Sequence, residues 1–507
     1  MQKLSAIEED GKFSSCEIYD RNYTWYNSDA ALESLNGSFS SHPTNKTEGI
    51  LECTWWHFNT SEFHSTVQSQ WSLVCSKAYV KPLMQTLYMC GFLVGAITFG
   101  ILSDKYGRLK ILSVCLLLQI VFAVAAALVS IYSHYILFTL LRVVVGMVTA
   151  GLFTVTFVLV MEVIPPRFRT YTGLFYQGFF AAGFCLLPAI SYALRDLFYT
   201  QLAMTLPTVI FLSYYWIVPE SPRWLILKRK YKEAESILRR IAALNKCPLT
   251  DDFTVESLIS AENASEHKPV GIKSLLSKPR MRSRGLLCAY AWFVCGLTYY
   301  GTSFSAEKLG GDIFLNSLLS GLVEFPAYVV CFFITGHPRI GRKYSLAGSF
   351  FVGGVSLLAC IPLLNQPDKH ILLLVLANIG KLGCSAAFAI VYIFTAEIFP
   401  TVVRAASVGG CSLCARIGAL LSSPIMELWS YWFGLPYMLF GALAVVAGGL
   451  TFLLPESVNA VLPETVEDGE MFGSKLYGEN PSDQIPANNE GNKPSAEIPL
   501  TEECASN

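Results

Sequence analysis

Apolar runs long enough to cross a bilayer dominate this chain and leave little choice of fold. Runs of about 17–25 residues with few charges read as transmembrane helices. They fall at 79–101, 109–131, 135–161, 171–194, 199–219, 285–302, 314–335, 344–364, 371–394, 405–425 and 432–454, eleven in all. Composition agrees: 53% of residues are hydrophobic and 15% charged, against about 25% charged in an average soluble protein. The 37 basic and 38 acidic residues nearly cancel, which argues against a nucleic-acid partner. Fifteen scattered cysteines, mostly inside apolar runs, argue against a disulfide scaffold or zinc arrays.

Basic residues in the loops set the expected orientation. Lys105, Arg108 and Lys110 follow the first run, fourteen Lys/Arg lie in 220–284, and Arg339, Arg342 and Lys343 follow the seventh run. All fall on one side, read as cytoplasmic. Residues 1–78 then form an extracellular segment, glycosylated at the sequons of Asn22, Asn36, Asn45 and Asn59, with Cys16, Cys53 and Cys75 as candidate disulfide partners. The remaining expected parts are an N-terminal transmembrane half at 79–219, a cytoplasmic loop with short helices at 220–284, a C-terminal transmembrane half at 285–454, and a cytoplasmic acidic tail at 455–507, largely disordered. In the loop, Ala234, Ile237, Leu238, Ile241 and Leu244 share one helix face. That face suits either the inner membrane surface or a packed cap under the bundle.

Three short patterns recur at nearly one offset. Gly107-Arg108 is echoed by Gly341-Arg342, Glu162-Val-Ile-Pro165 by Glu397-Ile-Phe-Pro400, and Pro219-Glu220-Ser221 by Pro455-Glu456-Ser457. The offsets are 234, 235 and 236. Three matches in one order imply two duplicated, parallel halves. The second half has six runs; the counterpart of its first falls near 50–67, a stretch too polar to span. The first half is therefore expected to lack its first helix.

Two parallel six-helix halves with Gly100-Ile-Leu-Ser-Asp104-Lys-Tyr-Gly107-Arg108 after a span resemble the major facilitator superfamily. Gln70-Trp-Ser-Leu-Val-Cys75, Val218-Pro-Glu-Ser-Pro-Arg-Trp224, Val323-Glu-Phe-Pro-Ala-Tyr328 and Thr395-Ala-Glu-Ile-Phe-Pro-Thr-Val-Val-Arg404 narrow the resemblance to solute carrier family 22, the organic cation, anion and carnitine transporters. It covers about residues 68–470. It implies an all-α membrane protein of the major facilitator fold, here with eleven spans, in the plasma membrane. Its implied function is transport of small organic ions by alternating access, with membrane lipid around it, no enzyme activity, no metal and no cofactor. An oligomer is left open.

Buried charges are the first site candidates, because a charge at mid-bilayer costs about 2.5–3.5 kcal/mol on insertion scales. Glu324 and Arg416 should lie near the midplane, as substrate ligands or as an ion pair that fixes packing. Lys381 sits shallower, at the cavity or snorkelling outward. Tyr176, Trp292, Tyr299 and Phe388 resemble cavity-lining positions of the family's cation and carnitine transporters. Aromatic faces attract quaternary ammonium groups by about 0.5–2 kcal/mol. Asp104, Arg108, Glu162 and Arg169 in the first half, Glu397 and Arg404 in the second, and Glu220 and Arg223 at the middle loop read as gating networks that break when the inner gate opens. Gly91-x-x-x-Gly95 permits a close helix contact, but such spacing is common by chance in apolar runs. In the family's cation transporters an Asp stands at the position of Arg416, and in its anion and carnitine transporters an Arg. The expected substrate is thus a carnitine-like zwitterion or an organic anion. The alternatives are an organic cation transporter and a truncated, non-transporting isoform.

Overall fold

A computed structural model describes residues 6–9, 12–19, 50–52, 56, 58, 60–132, 134–165, 168–247, 249–250, 253–256, 278–337, 339–458, 463 and 466–473. The four sequons lie outside the described residues, as does the tail beyond 473. The chain divides into two compact units, Met1–Lys81 with Arg195–Leu197, and Pro82–Leu194 with Phe198–Asn507.

The first unit contains a three-stranded antiparallel sheet in the order β1 (Ala6–Glu9), β2 (Lys12–Tyr19), β3 (Ile50–Glu52). The sequence reading did not foresee these strands; they are short, and the apolar alternation in them is weak. β3 falls at the start of the 50–67 stretch judged unable to span. Cys75 is disulfide-bonded, in keeping with its candidacy, and so is Cys247, which was not foreseen. Within this unit Ser65 Oγ donates to Asp196 Oδ2 at 2.8 Å and accepts from the Leu197 N–H at 3.0 Å.

The second unit is helical. Its first half comprises, apart from the first residues of α1 and α5, which belong to the first unit, α1 (Val80–Tyr106), α2 (Arg108–Tyr132), α3 (Tyr135–Val163), α4 (Arg169–Leu194) and α5 (Leu197–Ile217, with a 3-10 stretch at Leu206–Ser213). The loop carries α6 (Pro222–Leu227) and α7 (Tyr231–Leu244). Then come α8 (Pro279–Ser305), α9 (Ile313–Thr335), α10 (Gly341–Cys360), α11 (His370–Ile398), α12 (Thr401–Glu427), α13 (Leu435–Thr451) and the short α14 (Val466–Met471). Every expected apolar run coincides with a helix. Among the described residues, nine helices are long and apolar enough to cross a membrane, and α13 is a shorter apolar helix. α8 is not among the nine. It carries Arg280, Arg282 and Arg284 in its first two turns, and Trp292, Val294, Cys295, Leu297 and Thr298 on it are fully buried. A helix walled in by protein need not be apolar toward lipid.

Packing follows the duplication. α2 lies along α3, α10 along α11 and α13, α8 along α12 and α11, and α4 of the first half against α9 of the second. Pro188 inside α4 and Pro424 inside α12 stand 236 residues apart, one more matched pair at the repeat offset. On α7, Ala234 is buried in a small cluster with Trp224, Leu225, Phe253 and Val255, while Leu244 is 75% exposed. The loop helices thus pack on each other, and the apolar face of α7 is mainly used up in that cluster.

The Gly91 and Gly95 spacing is a built contact, not chance. A Cβ at Gly91 would lie 2.2 Å from the Val143 carbonyl oxygen, and one at Gly95 would lie 1.9 Å from that of Met147. α1 and α3 touch backbone to backbone there, the approach that small residues permit between helices in lipid. At Gly100 on the same helix a Cβ would meet nothing within 4 Å. Gly95→Val should therefore lose most of the monodisperse, detergent-extracted protein or lower its Tm by several degrees, and Gly100→Val should not. Equal behaviour of the two variants in size-exclusion and thermal-melt assays would contradict this packing.

Candidate substrate cavity and gates

Between the halves lies a cavity of about 450 Å³, within the range typical of small-molecule sites. α1, α3, α4, α8, α9, α11 and α12 contribute to its wall, which is largely Tyr and Phe with a few small polar groups such as Thr149, Thr156, Gln177 and Ser412. Among the described residues, Arg416 is the one charged side chain that lines it. Its Nη1 donates to Ser412 Oγ and, at 3.3 Å, to the Ser412 carbonyl one turn back on α12. Its guanidinium lies 5.8 Å from the Phe92 ring centroid. Nε has no hydrogen-bond partner.

Arg416 and Glu324 do not form the ion pair weighed from sequence. Glu324 pairs instead with Lys381 at 3.3 Å, the two side chains being 0% and 2% exposed. Tyr299 donates to Glu324 Oε1 at 2.6 Å and Tyr328 to Oε2 at 3.0 Å. Lys381 also donates to Ser303 Oγ and, at 3.3 Å, to the Tyr299 carbonyl. Neither Glu324 nor Lys381 lines the cavity. Both were expected as substrate ligands; here each spends its charge on the other, which is what burial of a charge demands. Lys381 does not snorkel, for its carboxylate partner is inside.

The expected aromatic residues divide. Tyr176, Tyr299 and Phe388 line the cavity. Trp292 does not: it is fully buried, and its Nε1–H donates to Thr395 Oγ1 at 2.8 Å. Tyr299 offers little open ring face. Lys381 Nζ lies 3.6 Å from its centroid, and Phe388 stacks on it at 5.7 Å and 20°. Tyr176 is held edge-on to Phe153 and Phe157, with its hydroxyl donating to the Phe153 carbonyl at 3.1 Å. Arg142 stacks over Tyr88 of α1 at 5.0 Å and over Phe138 of its own helix at 5.9 Å.

At the end of the bundle that carries the basic loops, the duplicated motifs become matched structures. Gly107, at φ +118°, turns the chain from α1 into α2, and the Glu220 carboxylate accepts from the N–H groups of Arg108 at 2.9 Å and Leu109 at 3.0 Å. Gly341, at φ +68°, precedes α10, and Glu456 accepts from the N–H groups of Arg342 at 3.0 Å and Lys343 at 3.1 Å. Each Pro-Glu-Ser motif thus supplies a carboxylate to a helix N-terminus, where unsatisfied donors and the helix dipole favour an anion. Glu220 was expected to work with Arg223; the cap takes its carboxylate instead. Arg108 pairs with Glu162 at 3.0 Å and with Asp104. Its repeat mate Arg342 pairs with Glu397. Sequence reasoning missed the Arg342–Glu397 pair, though the offset of 234 from Arg108 pointed to Arg342. Arg404 donates to the Phe399 carbonyl at 3.3 Å, and the side chain of Arg169 lies outside the described residues.

A second space of about 440 Å³ opens beside these pairs, with Glu162, Arg223 and Glu397 among its lining. Gln177 and Tyr392 line both spaces. Gln177 and Tyr392 are thus a boundary that the central cavity shares with the space beside the paired charges.

A family model described as Sugar (and other) transporter matches residues 11–467. An organic cation transporter protein of Drosophila melanogaster is 37% identical over 467 residues, 91% of this chain and 82% of that one. Solute carrier family 22 member 3 of Mus musculus is 36% identical over 85% of this chain and 76% of its own length. The chain belongs to solute carrier family 22, within the major facilitator superfamily. Organic cation/carnitine transporter 2 of Homo sapiens is a further relative, 35% identical over 81% of this chain and 73% of its own. Among solved structures, the major facilitator proton:xylose symporter XylE bound to 6-bromo-6-deoxy-D-glucose superposes with a TM-score of 0.59 at 19% identity, covering 79% of this chain and 91% of that one. This likeness concerns the fold alone. The family-22 chain is a multi-pass membrane transporter of small organic ions, and its relatives are carriers, not enzymes.

Two outcomes are expected of this family-22 carrier. Lys381→Ala strands a buried carboxylate and should destabilise the protein by about 3–5 kcal/mol, whereas Glu324→Gln with Lys381→Met should recover much of that loss. A thermal melt of purified protein decides it; a double variant no better than the single one would count against the pair. At the gates, Arg342→Gln should lower the maximal uptake rate with apparent affinity changed less than about twofold. Asp104→Asn should act in the same direction but more weakly, since its side chain is 71% exposed. Uptake kinetics in which affinity falls and maximal rate holds would contradict the gating role.

Proposed function

We propose that this carrier moves carboxylate-bearing small organic ions, organic anions and carnitine-like zwitterions, across the plasma membrane by alternating access. The observation that carries the reading is the single charge lining the cavity: Arg416, with its Nε unpartnered while the buried acid and lysine neutralise each other. A carboxylate on that guanidinium gains a charge-assisted hydrogen bond. A cationic end, where the substrate has one, meets the Tyr and Phe faces elsewhere on the wall. Because Glu324 is shut behind Tyr299 and Tyr328, the cavity offers a bare cation no opposing charge in this conformation.

The basic-loop end is assigned to the cytoplasm by the excess of Lys and Arg there. Residues 1–78 then face outside and carry glycans at Asn22, Asn36, Asn45 and Asn59. Arg108–Glu162 and Arg342–Glu397 act as the inner latches, and the space beside them is the route of release. Organic cation transport is the second reading, favoured by the relatives named as organic cation transporters. One experiment separates the two. Arg416→Ala should cut uptake of carboxylate and zwitterion substrates at least about tenfold with surface level intact. Arg416→Asp should shift preference toward cations, as the charge of the site reverses. Undiminished carboxylate uptake in Arg416→Ala, alongside robust cation uptake by the wild type, would overturn the anion reading.

A further inference from the structure

The start of α8 and the end of α14 cap each other. Glu470 on α14 accepts from the N–H groups of Arg280 at 3.1 Å and Met281 at 3.0 Å, in the first turn of α8. In return Arg284 on α8, 9% exposed, donates from Nη1 to the Gly469 carbonyl and from Nη2 to the Phe472 carbonyl at 2.6 Å. A carboxylate thus meets a helix N-terminus and a guanidinium meets a helix C-terminus, each where the unmet backbone groups favour that charge. The fit is close. Phe472 is fully buried, and Val466 packs on the core of the second half. A Cβ at Gly469 would lie 2.5 Å from Pro400 Cγ, in the turn between α11 and α12, and 2.9 Å from Met281 Sδ. The repeat shows that this docking is particular to the second half. At an offset of 235, Asp468-Gly469-Glu470 matches Glu233-Ala234-Glu235 on α7. There Glu235 accepts from Arg239 of its own helix at 3.1 Å, and an Ala stands where α14 has room only for Gly.

We propose that α14 is a strap that ties the start of α8 to the α11–α12 turn, with Arg284 as the positioning residue that holds it, so that these helices of the second half move as one piece during transport. Glu397, which pairs with Arg342, lies three residues before Pro400. The strap therefore joins the helix end that carries this pair to α8, whose Tyr299 and Tyr300 line the cavity. The strap partners named here all belong to the second half, so a movement of one half against the other leaves them docked. With the strap released, α8 no longer follows α11 and the cycle slows, while the contacts within the cavity stay as they are. The proposal does not depend on which organic ion is carried.

The test uses the full chain in proteoliposomes, with labelled carnitine as substrate and labelled tetramethylammonium as the cationic alternative, together with hydrogen–deuterium exchange. Arg284→Ala should raise exchange about tenfold at the Arg280, Met281 and Phe472 amides and leave the capped amides of Arg342 and Lys343 unchanged. It should lower the maximal uptake rate at least about threefold, with apparent affinity changed less than about twofold. Gly469→Ala, which removes no charge, should do the same, and it decides the matter should Arg284→Ala fail to fold. Arg284→Lys, which keeps a cation at the two carbonyls, should retain most of the rate. Raised exchange with an undiminished maximal rate overturns the proposal, as does a rate lost without raised exchange. Affinity that falls as far as the rate overturns it too, because the strap would then be shaping the cavity and not the movement.

Discussion

A carboxylate enclosed among hydrocarbon and protein must have its charge cancelled and its lone pairs met, or it is not tolerated. Glu324 meets that demand with partners from three directions: Tyr299 on α8, Tyr328 on its own helix α9, and Lys381 on α11. These are three walls of the central cavity, so satisfying one buried acid sets how they stand relative to each other. It also decides the character of the cavity. With the pair closed, the lumen is left with a single positive charge and a wall of aromatic rings.

The basic-loop ends of the same scaffold obey a parallel rule. The first donors of α2 and α10 have no partners within their helices, and a carboxylate brought from more than a hundred residues away answers both times. Because each cap sits directly beside an Arg–Glu pair, the loop after α5 and the chain after α13 are tied to the ends of α1–α3 and α10–α11. Motions that part these pairs must carry the capped helices with them.

Much of this was legible in the sequence, and the rest failed for definite reasons. Helices were legible because a bilayer admits only backbone that satisfies itself, so apolar length suffices to find them. The duplication was legible from Glu162 and Glu397 and from the two Pro-Glu-Ser motifs. That Glu324 is buried could be read from its place in a run. That its partner is Lys381 and not Arg416 could not, since helix rotation about the bundle axis leaves no mark in the spacing. Rotation likewise hid Trp292 behind the wall while leaving Phe388 on it. The Gly91 and Gly95 spacing was read as weak because chance produces it; only the partner carbonyls of Val143 and Met147 distinguish contact from coincidence. Strands in the first unit escaped because four- and eight-residue stretches carry little periodicity.

The two Arg–Glu pairs are not equal. Arg108 has two acids, one of them the largely exposed Asp104, whereas the position matching Asp104 in the second half is Pro338, and Arg342 is left with Glu397. Attraction to an exposed carboxylate fades over a distance set by dissolved ions, and attraction to a half-buried one much less so. Ionic strength therefore addresses one half of the molecule and barely touches the other. Two halves built from one repeated motif therefore answer dissolved ions unequally.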